Sequence, residues 1–248
     1  GVSNKVGQTS AGEVQLMLNE AQNNDINTID TASAYGESES VLGNLELSNW
    51  RIITKVPPLP RTDTNGREWL NYNLTKSLRR MKISKLDGLL LHNSADALGT
   101  KGTEIVRALI EAKDRGIVKK IGFSIYSPDI LDELLQLTTP DLIQAPLNVF
   151  DQRLVTSGWL QRLTNMKVEI HVRSAFLQGL LLMNGTKRSH RFNRWENLWL
   201  KWEDTVHYSN RDAISLCIGF IKAQSGISNL IVGAENRKQL HEIIKMSE

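Results

Sequence analysis

Short apolar runs alternate with helix-periodic stretches along almost the entire chain. Ile26 to Thr31, Trp50 to Val56, Leu86 to His92, Lys119 to Ile125, Leu142 to Val149, Val168 to Phe176 and Asn229 to Ala234 read as seven buried strands. Between them, apolar residues stand three and four apart, as in Val14, Met17, Leu18 and Ala21 or Ile105, Leu109, Ile110 and Ala112, which marks amphipathic helices. Local punctuation agrees. Ser10 opens a helix with Glu13 three residues later, and Ser127-Pro128-Asp129 orders a cap, a first-turn proline and an acid. Gly116 sits where a helix must stop before its next strand.

Alternating strands and helices with continuously apolar strands predict a parallel sheet covered by helices, either a closed barrel or an open doubly wound sheet. No G-x-G-x-x-G follows any strand, and polar residues gather at the C-terminal ends of nearly all of them. Both features favour a TIM (β/α)8-type barrel, with residues 1–248 forming one domain. Seven strands are one too few, and Gly1 to Lys5 is too short and polar to supply another. Either a first strand lies upstream, or the barrel is open with two unpaired edges that invite association or instability. The chain begins at Gly1 without a methionine, which leaves room for a segment removed upstream.

Composition narrows the class. With 40% hydrophobic and 23% charged residues, the chain is outside the disordered regime. Its net charge of +3 is small and scattered, so nucleic acid is not an expected partner. The densest basic stretch, Lys187, Arg188, His190, Arg191 and Arg194, reads as a solvated helix or lid. The single cysteine, Cys217, is surrounded by Ile214, Leu216, Ile218 and Phe220, which predicts a buried helix face and a reducing, cytoplasmic setting. No apolar run reaches the roughly 20 residues that cross a membrane. No cluster has zinc-ligand spacing, and no metal is expected.

Four residues carry candidate chemistry. Asp30, Lys55 and His92 close the first three strands, and Tyr35 lies in the loop after the first. In a barrel all four face one mouth. A phenol, with an ordinary pKa near 10, needs help to act as an acid. An adjacent ammonium would stabilise its phenolate, an aspartate would hold that ammonium, and a histidine would orient the substrate oxygen. This set suits protonation of an oxygen while hydride reaches the attached carbon.

The run Asp30-Thr31-Ala32-Ser33-Ala34-Tyr35-Gly36-Glu37-Ser38-Glu39 resembles the aldo-keto reductase signature D-T-A-x-x-Y-G-x-S-E. The resemblance continues, in order, through Ile53-Thr54-Lys55, Leu89-Leu90-Leu91-His92, Ile121-Gly122-Phe123-Ser124, Gln144 with Asn148, Arg173-Ser174, Gly179-Leu180-Leu181 and Ile231-Val232-Gly233. It implies an Asp-Tyr-Lys-His tetrad with Tyr35 as general acid/base, Lys55 and Asp30 as its tuning pair, and His92 as the orienting group. It also implies a nicotinamide cofactor across the strand ends, NADP(H) ahead of NAD(H). Ser124 and Gln144 would hold the carboxamide, Ser174 and Gly179 the pyrophosphate loop, and Gly233, Asn236 and Gln239 the adenosine end. The substrate would be a small carbonyl compound, including a sugar or sugar nucleotide.

The sequence also departs from the family pattern. Ile125 replaces a frequent asparagine, and Arg173 stands where an aromatic residue often stacks on the nicotinamide; its planar guanidinium can stack there too and adds positive charge near the ring or phosphates, so the resemblance counts Arg173 among the cofactor-binding residues. Glu235 falls where NADPH-preferring members carry a basic residue, with Arg237 and Lys238 nearby to compensate.

Structural roles compete for each residue: Asp30 as a loop cap, Tyr35 as helix-start packing, Lys55 as a snorkelling side chain, His92 as a hydrogen-bonded rim residue. Two rival functions also stand, a weakened reductase-like barrel serving as a regulatory or binding subunit and a Schiff-base lyase using Lys55. Asp87 and Asp141 precede strands and belong at the stabilising end of a barrel; neither they nor Asp151 is assigned chemistry. His171 is read as a satisfied core or rim histidine. Trp195, Trp199 and Trp202 form one helical stripe that packs on the barrel or, alternatively, borders the mouth.

Overall fold

The computed structural model describes residues 7–60 and 65–247. Seven strands, β1 Thr28–Asp30, β2 Arg51–Val56, β3 Leu86–Leu91, β4 Val118–Ser124, β5 Leu142–Pro146, β6 Glu169–Arg173 and β7 Asn229–Leu230, lie side by side in chain order. Every neighbouring pair is parallel. Among the described residues the helices are α1 Ala11–Gln22, α2 Ser38–Leu42, α3 Gly66–Met81, α4 Gly102–Asp114, α5 Leu131–Leu137, α6 Arg153–Thr156, α7 Trp159–Asn165, α8 Glu196–Ser209, α9 Ala213–Lys222 and α10 Arg237–Lys245. Among the described residues the result is a curled, seven-stranded parallel sheet wrapped by helices, one strand short of a (β/α)8-type barrel.

Strand alternation divides the core in two. Ile53, Leu90 and Leu142 form an inner cluster, whereas Ile52, Leu89, Leu91 and Ile143 pack with Leu70, Leu109 and Leu163 of the outer helices. Gly122 on β4 allows a very close approach: a Cβ there would lie 1.7 Å from the Leu142 carbonyl oxygen. The helix signals act as the sequence predicts at two sites. Ser10 Oγ accepts the Glu13 N–H at 3.2 Å. Gly116, at φ +66°, donates to Lys113 O at 2.8 Å, and Ile117 donates to Ala112 O at 3.1 Å, which satisfies the last carbonyls of α4.

Ser127 behaves differently. Pro128–Ile130 forms a short 3-10 turn before α5, and Ser127 Oγ donates to Asp129 Oδ2 at 2.7 Å instead of capping the backbone. The apolar runs also overshoot their strands. Asn148 Oδ1 accepts the Phe150 and Asp151 N–H groups, both at 2.9 Å, and so turns the chain after β5. Ser174, at φ +64°, turns it after β6.

No pairing joins β7 to β1 among the described residues. The helical layer closes there instead. Arg237 Nε donates to Glu20 Oε2 at 2.9 Å, His241 Nδ1 lies 2.7 Å from Glu20 Oε1, and the Arg237 N–H donates to Glu13 Oε1 at 2.6 Å. Gly1 to Lys5 lies outside the described residues.

The tryptophan segment splits. Trp199 and Trp202 on α8 are buried with Leu181 and Cys217, and Trp202 Nε1 donates to Leu181 O at 2.9 Å. Trp195 precedes the helix and is exposed, so the three do not form one buried stripe. The environment of Cys217 pushes its thiol up to about 12 through burial.

Candidate active site

Asp30, Lys55 and His92 leave the ends of β1, β2 and β3, and the His92 N–H continues the ladder by donating to Val56 O at 3.2 Å. Lys55 is almost completely buried on the inner face. Its Nζ donates to Asp30 Oδ1 at 2.6 Å and to Thr31 O at 2.9 Å. Burying an ammonium is costly unless it is paired and hydrogen-bonded, and both conditions are met here. Gln144 on β5 completes the arrangement by donating its Nε2 to Asp30 Oδ2 at 2.7 Å. The sequence reading assigned Gln144 to the cofactor alone and missed this bond, for which a span of 114 residues leaves no local signal.

Tyr35 sits in the loop after β1, where its N–H donates to Ala32 O at 3.0 Å. Its ring meets His92 edge to face, with centroids 5.6 Å apart and planes at 85°. Lys55 Nζ lies 5.3 Å from the centroid of the same ring. The loop is held by the remaining signature residues. Ser33 Oγ donates to Lys55 O at 2.9 Å, and Thr31 Oγ1 and Ser38 Oγ are 3.0 Å apart. Glu39 on α2 is buried, accepting from Thr54 Oγ1 at 2.7 Å and from Arg80 at 3.2 Å. Part of the signature therefore shapes the loop that presents Tyr35.

The electrostatics correct one expectation. Burial raises the Tyr35 phenol above its ordinary value and Asp30 raises it further, with Arg173 pulling the other way. Burial outweighs the cationic neighbours at the phenol, and the Lys55 ammonium directs its hydrogen bonds to Asp30 and Thr31 O. Burial lowers the Lys55 pKa, with Asp30 opposing. Burial, then the charges of Lys55 and Arg173, push His92 down, so the imidazole is neutral near pH 7. Its Nδ1 is buried without a partner.

The residues predicted for a cofactor divide into two groups. Ser124 and Gln144 are register partners and both are buried. Beside them Arg173 donates to Ile125 O at 3.0 Å and Ser174 Oγ at 3.3 Å, and its guanidinium lies 4.8 Å from the Tyr126 ring centroid. Ser174, Gln178 and Gly179 all have positive φ, and Asn148 Nδ2 holds Ser174 O at 3.1 Å. The second group follows β7. A Cβ at Gly233 would meet open space. Asn236 caps α10 by accepting the Gln239 N–H at 2.9 Å, and Gln239 Oε1 accepts the Glu235 N–H at 2.9 Å. Arg237 is committed to Glu20.

The opposite end of the barrel is an ion-paired floor. Arg51 bridges Asp87 and Glu169, both at 3.1 Å, and Lys120 also pairs with Glu169. A cavity of about 730 Å³ opens there, remote from the tetrad. Asp87 lies inside β3 rather than before it, and Asp141 pairs with Lys113 at 2.6 Å. Asp151 is bound by Arg153. His171 is fully buried with Nε2 2.7 Å from Glu169 Oε1, but its Nδ1 has no partner, so it is only half satisfied. Among the described residues, no group of three potential ligands could hold a metal ion, and no helix is long and apolar enough to cross a membrane.

Residues 1–248 match the family model described as the Aldo/keto reductase family. The chain is 31% identical over 239 residues to D-arabinose 1-dehydrogenase of Saccharomyces cerevisiae, covering 83% of this chain and 70% of that protein. It is 24% identical over 260 residues to the uncharacterized oxidoreductase YqkF of Bacillus subtilis, covering 96% and 83%. The fold matches an aldo-keto reductase from Bacillus halodurans with a TM-score of 0.79 at 20% identity, over 97% of this chain and 82% of the other.

Proposed function

Because the chain belongs to the aldo/keto reductase family, we propose that it reduces an aldehyde, ketone or sugar carbonyl and oxidises the alcohol in reverse, with Tyr35 as general acid. The carrying observation is the convergence of Lys55 on Asp30 and on the Tyr35 ring, with His92 against that same ring.

The mouth suits a nicotinamide. Gln144 spends its Nε2 on Asp30, so its Oε1 is the natural acceptor for a carboxamide, alongside the Ser124 hydroxyl. Ser174 and Gly179 would take the pyrophosphate, and Gly233, Asn236 and Gln239 the adenosine end. When bound, the cofactor supplies hydride to the carbonyl carbon. NADP(H) is favoured on family grounds with NAD(H) second; Glu235 and the engagement of Arg237 with Glu20 leave Lys238 as the basic residue for a 2′-phosphate.

His92, neutral near pH 7, donates one hydrogen bond to the carbonyl oxygen and orients it. Tyr35 then passes its hydroxyl proton to that oxygen. The Lys55 ammonium over the ring offsets the negative charge left on the phenolate, and Asp30 keeps the ammonium in place. D-arabinose 1-dehydrogenase among the relatives supports a sugar-type substrate.

Turnover of simple aldehydes and aldoses with NADPH or NADH, in the wild type and Tyr35→Phe, tests this reading. Equal rates in the two proteins would remove Tyr35 from the chemistry. The rival binding-subunit role is favoured by Ile125, which supplies no polar side chain at the carboxamide position. Failure of a fluorescence titration to detect either cofactor would favour it. A Schiff-base role would require Lys55 to leave Asp30 and Thr31 O; borohydride trapping with a carbonyl substrate would detect that adduct.

A further inference from the structure

We propose that the floor of the barrel is a second binding site, which takes a small polyvalent phosphate compound carrying no base. It lies at the end of the sheet opposite the tetrad, and it goes beyond the reductase reading without depending on it.

The N-terminal ends of the strands gather cations there. Arg51 opens β2, Lys119 and Lys120 stand near the start of β4, and Lys167 precedes β6; all four line the cavity of about 730 Å³. That volume falls within the roughly 300–1,000 Å³ of small-molecule sites. Two carboxylates answer the four cations. Asp87 meets Arg51 at 3.1 Å, Lys119 at 3.6 Å and Lys120 at 3.7 Å, while Glu169 meets Arg51 at 3.1 Å and also Lys120. Four cations against two carboxylates leave two positive charges in excess. The neighbours do not cancel them. Burial lowers the His171 pKa, so the ring adds no charge near pH 7, and Asp141 at the entry to β5 is matched by Lys113 at 2.6 Å. Among the described residues, Lys167 forms no ion pair.

The inner part of this cluster is fixed before any ligand arrives. Asp87, with a side chain only 9% exposed, and Glu169 hold Arg51 and Lys120 in place. Arg51 spends Nε and Nη2 on them, which leaves the Nη1 donors for a ligand. Neutral donors stand beside the charges. Ser228 Oγ accepts the Ile170 N–H at 3.1 Å and keeps its own O–H to donate, and Asn229 offers an amide. Val168 is the one large apolar side chain among the described lining residues, and no aromatic ring is there to stack on a base. A monocarboxylate would match one of the excess charges. A diphosphate or similar compound matches both and supplies several oxygens to a guanidinium and its neighbouring ammonium groups.

The test is calorimetric titration of pyrophosphate, with orthophosphate and acetate run in parallel, into the wild type and Lys119→Met/Lys167→Met. Each protein is saturated with NADPH, so that the strand-end site is filled. Both lysines are exposed, and a thermal melt checks that the variant folds; Lys119→Gln/Lys167→Gln carries the test if it does not. The wild type should bind one pyrophosphate, about tenfold or more tightly than orthophosphate, and the double variant should lose at least about tenfold of that affinity. Rising salt should weaken the binding. Absence of binding, equal affinity for the three anions, or an unchanged affinity in the double variant would overturn the proposal. The comparison of wild type with variant holds whether or not NADPH binds, so a failure of the reductase reading would show separately, as absent turnover.

Discussion

The Lys55 ammonium lies over the ring of Tyr35, 5.3 Å from its centroid, and forms no hydrogen bond to the phenol oxygen. Its bonds go to Asp30 and Thr31 O, so it acts on Tyr35 through charge and ring contact. The cation and its carboxylate partner are both nearly buried, with side-chain exposures of 1% and 10%. Either one alone would be an uncompensated buried charge. Asp30→Ala or Lys55→Met should therefore cost roughly 3–5 kcal/mol, and the double replacement less than the sum of the two. Urea unfolding of the three variants measures this; additive losses would mean that the pair is not coupled.

Tyr35→Phe removes one hydroxyl from a residue that is 38% exposed. Stability should change by no more than about 0.5 kcal/mol, while turnover falls on the order of 10²–10⁴-fold. Cofactor affinity should be unchanged. Turnover with each cofactor, set beside a thermal melt, separates loss of chemistry from loss of fold.

Burial and Asp30 hold the Tyr35 phenol above its ordinary value of about 10. Carbonyl reduction requires the protonated phenol and should stay level through neutral and mildly alkaline pH. Alcohol oxidation requires the phenolate and should climb as pH rises. A reduction rate that falls with a midpoint near neutrality would point to a different acid.

Stability should decline on acidification in two stages. Burial raises the Glu169 carboxyl, but hydrogen bonds from Lys120 and His171 outweigh it and bring the group down to about 2 from 4.5. A depressed folded pKa stabilises the protein above the unfolded value and loses that contribution as pH falls through the folded one, here between about 4.5 and 2. His92 and His171 are also depressed, so their contribution begins to fade below their ordinary 6.5. Glu169→Gln should flatten the lower stage in a pH series of thermal melts and, by removing the carboxylate that raises His171, enlarge the upper stage.

Gly122→Ala would place a Cβ 1.7 Å from the Leu142 carbonyl oxygen, a backbone atom that cannot turn aside. Separating β4 from β5 would break the register that pairs Ser124 with Gln144. The expected cost is at least the 1–3 kcal/mol typical of overpacking, or about that much off the unfolding free energy. Gly219→Ala, where a Cβ meets open space within a helix, is the control that should fold normally. Equal urea midpoints for the two variants would show that the strands can separate without penalty.

Several site residues could be read from the linear chain. Asp30, Lys55 and His92 end apolar runs, and a run's end becomes a strand's C-terminal end once strands and helices alternate. The signature around Tyr35 was equally visible, but the duty of its second half was not. Glu39 serves Thr54 and Arg80, which are 15 and 41 residues away. Runs such as Leu142 to Val149 overestimated strand length because apolar character persists past the point where Asn148 turns the backbone. Trp195, Trp199 and Trp202 fit one helical stripe by spacing, yet the helix begins only at Glu196 and leaves Trp195 outside.

What the sequence determined by itself was the alternation of seven strands with helices, the barrel class and the residues offered at the strand ends. These depend on side-chain spacing over a few neighbours, which sets local backbone conformation and the buried face. Only the tertiary structure decided the partners: Gln144 for Asp30, Glu20 for Arg237, the ring rather than the hydroxyl of Tyr35 for Lys55, and no carboxylate for Arg173. Those choices depend on ångström-scale distances and desolvation between residues far apart in the chain, which exist only once the sheet has curled.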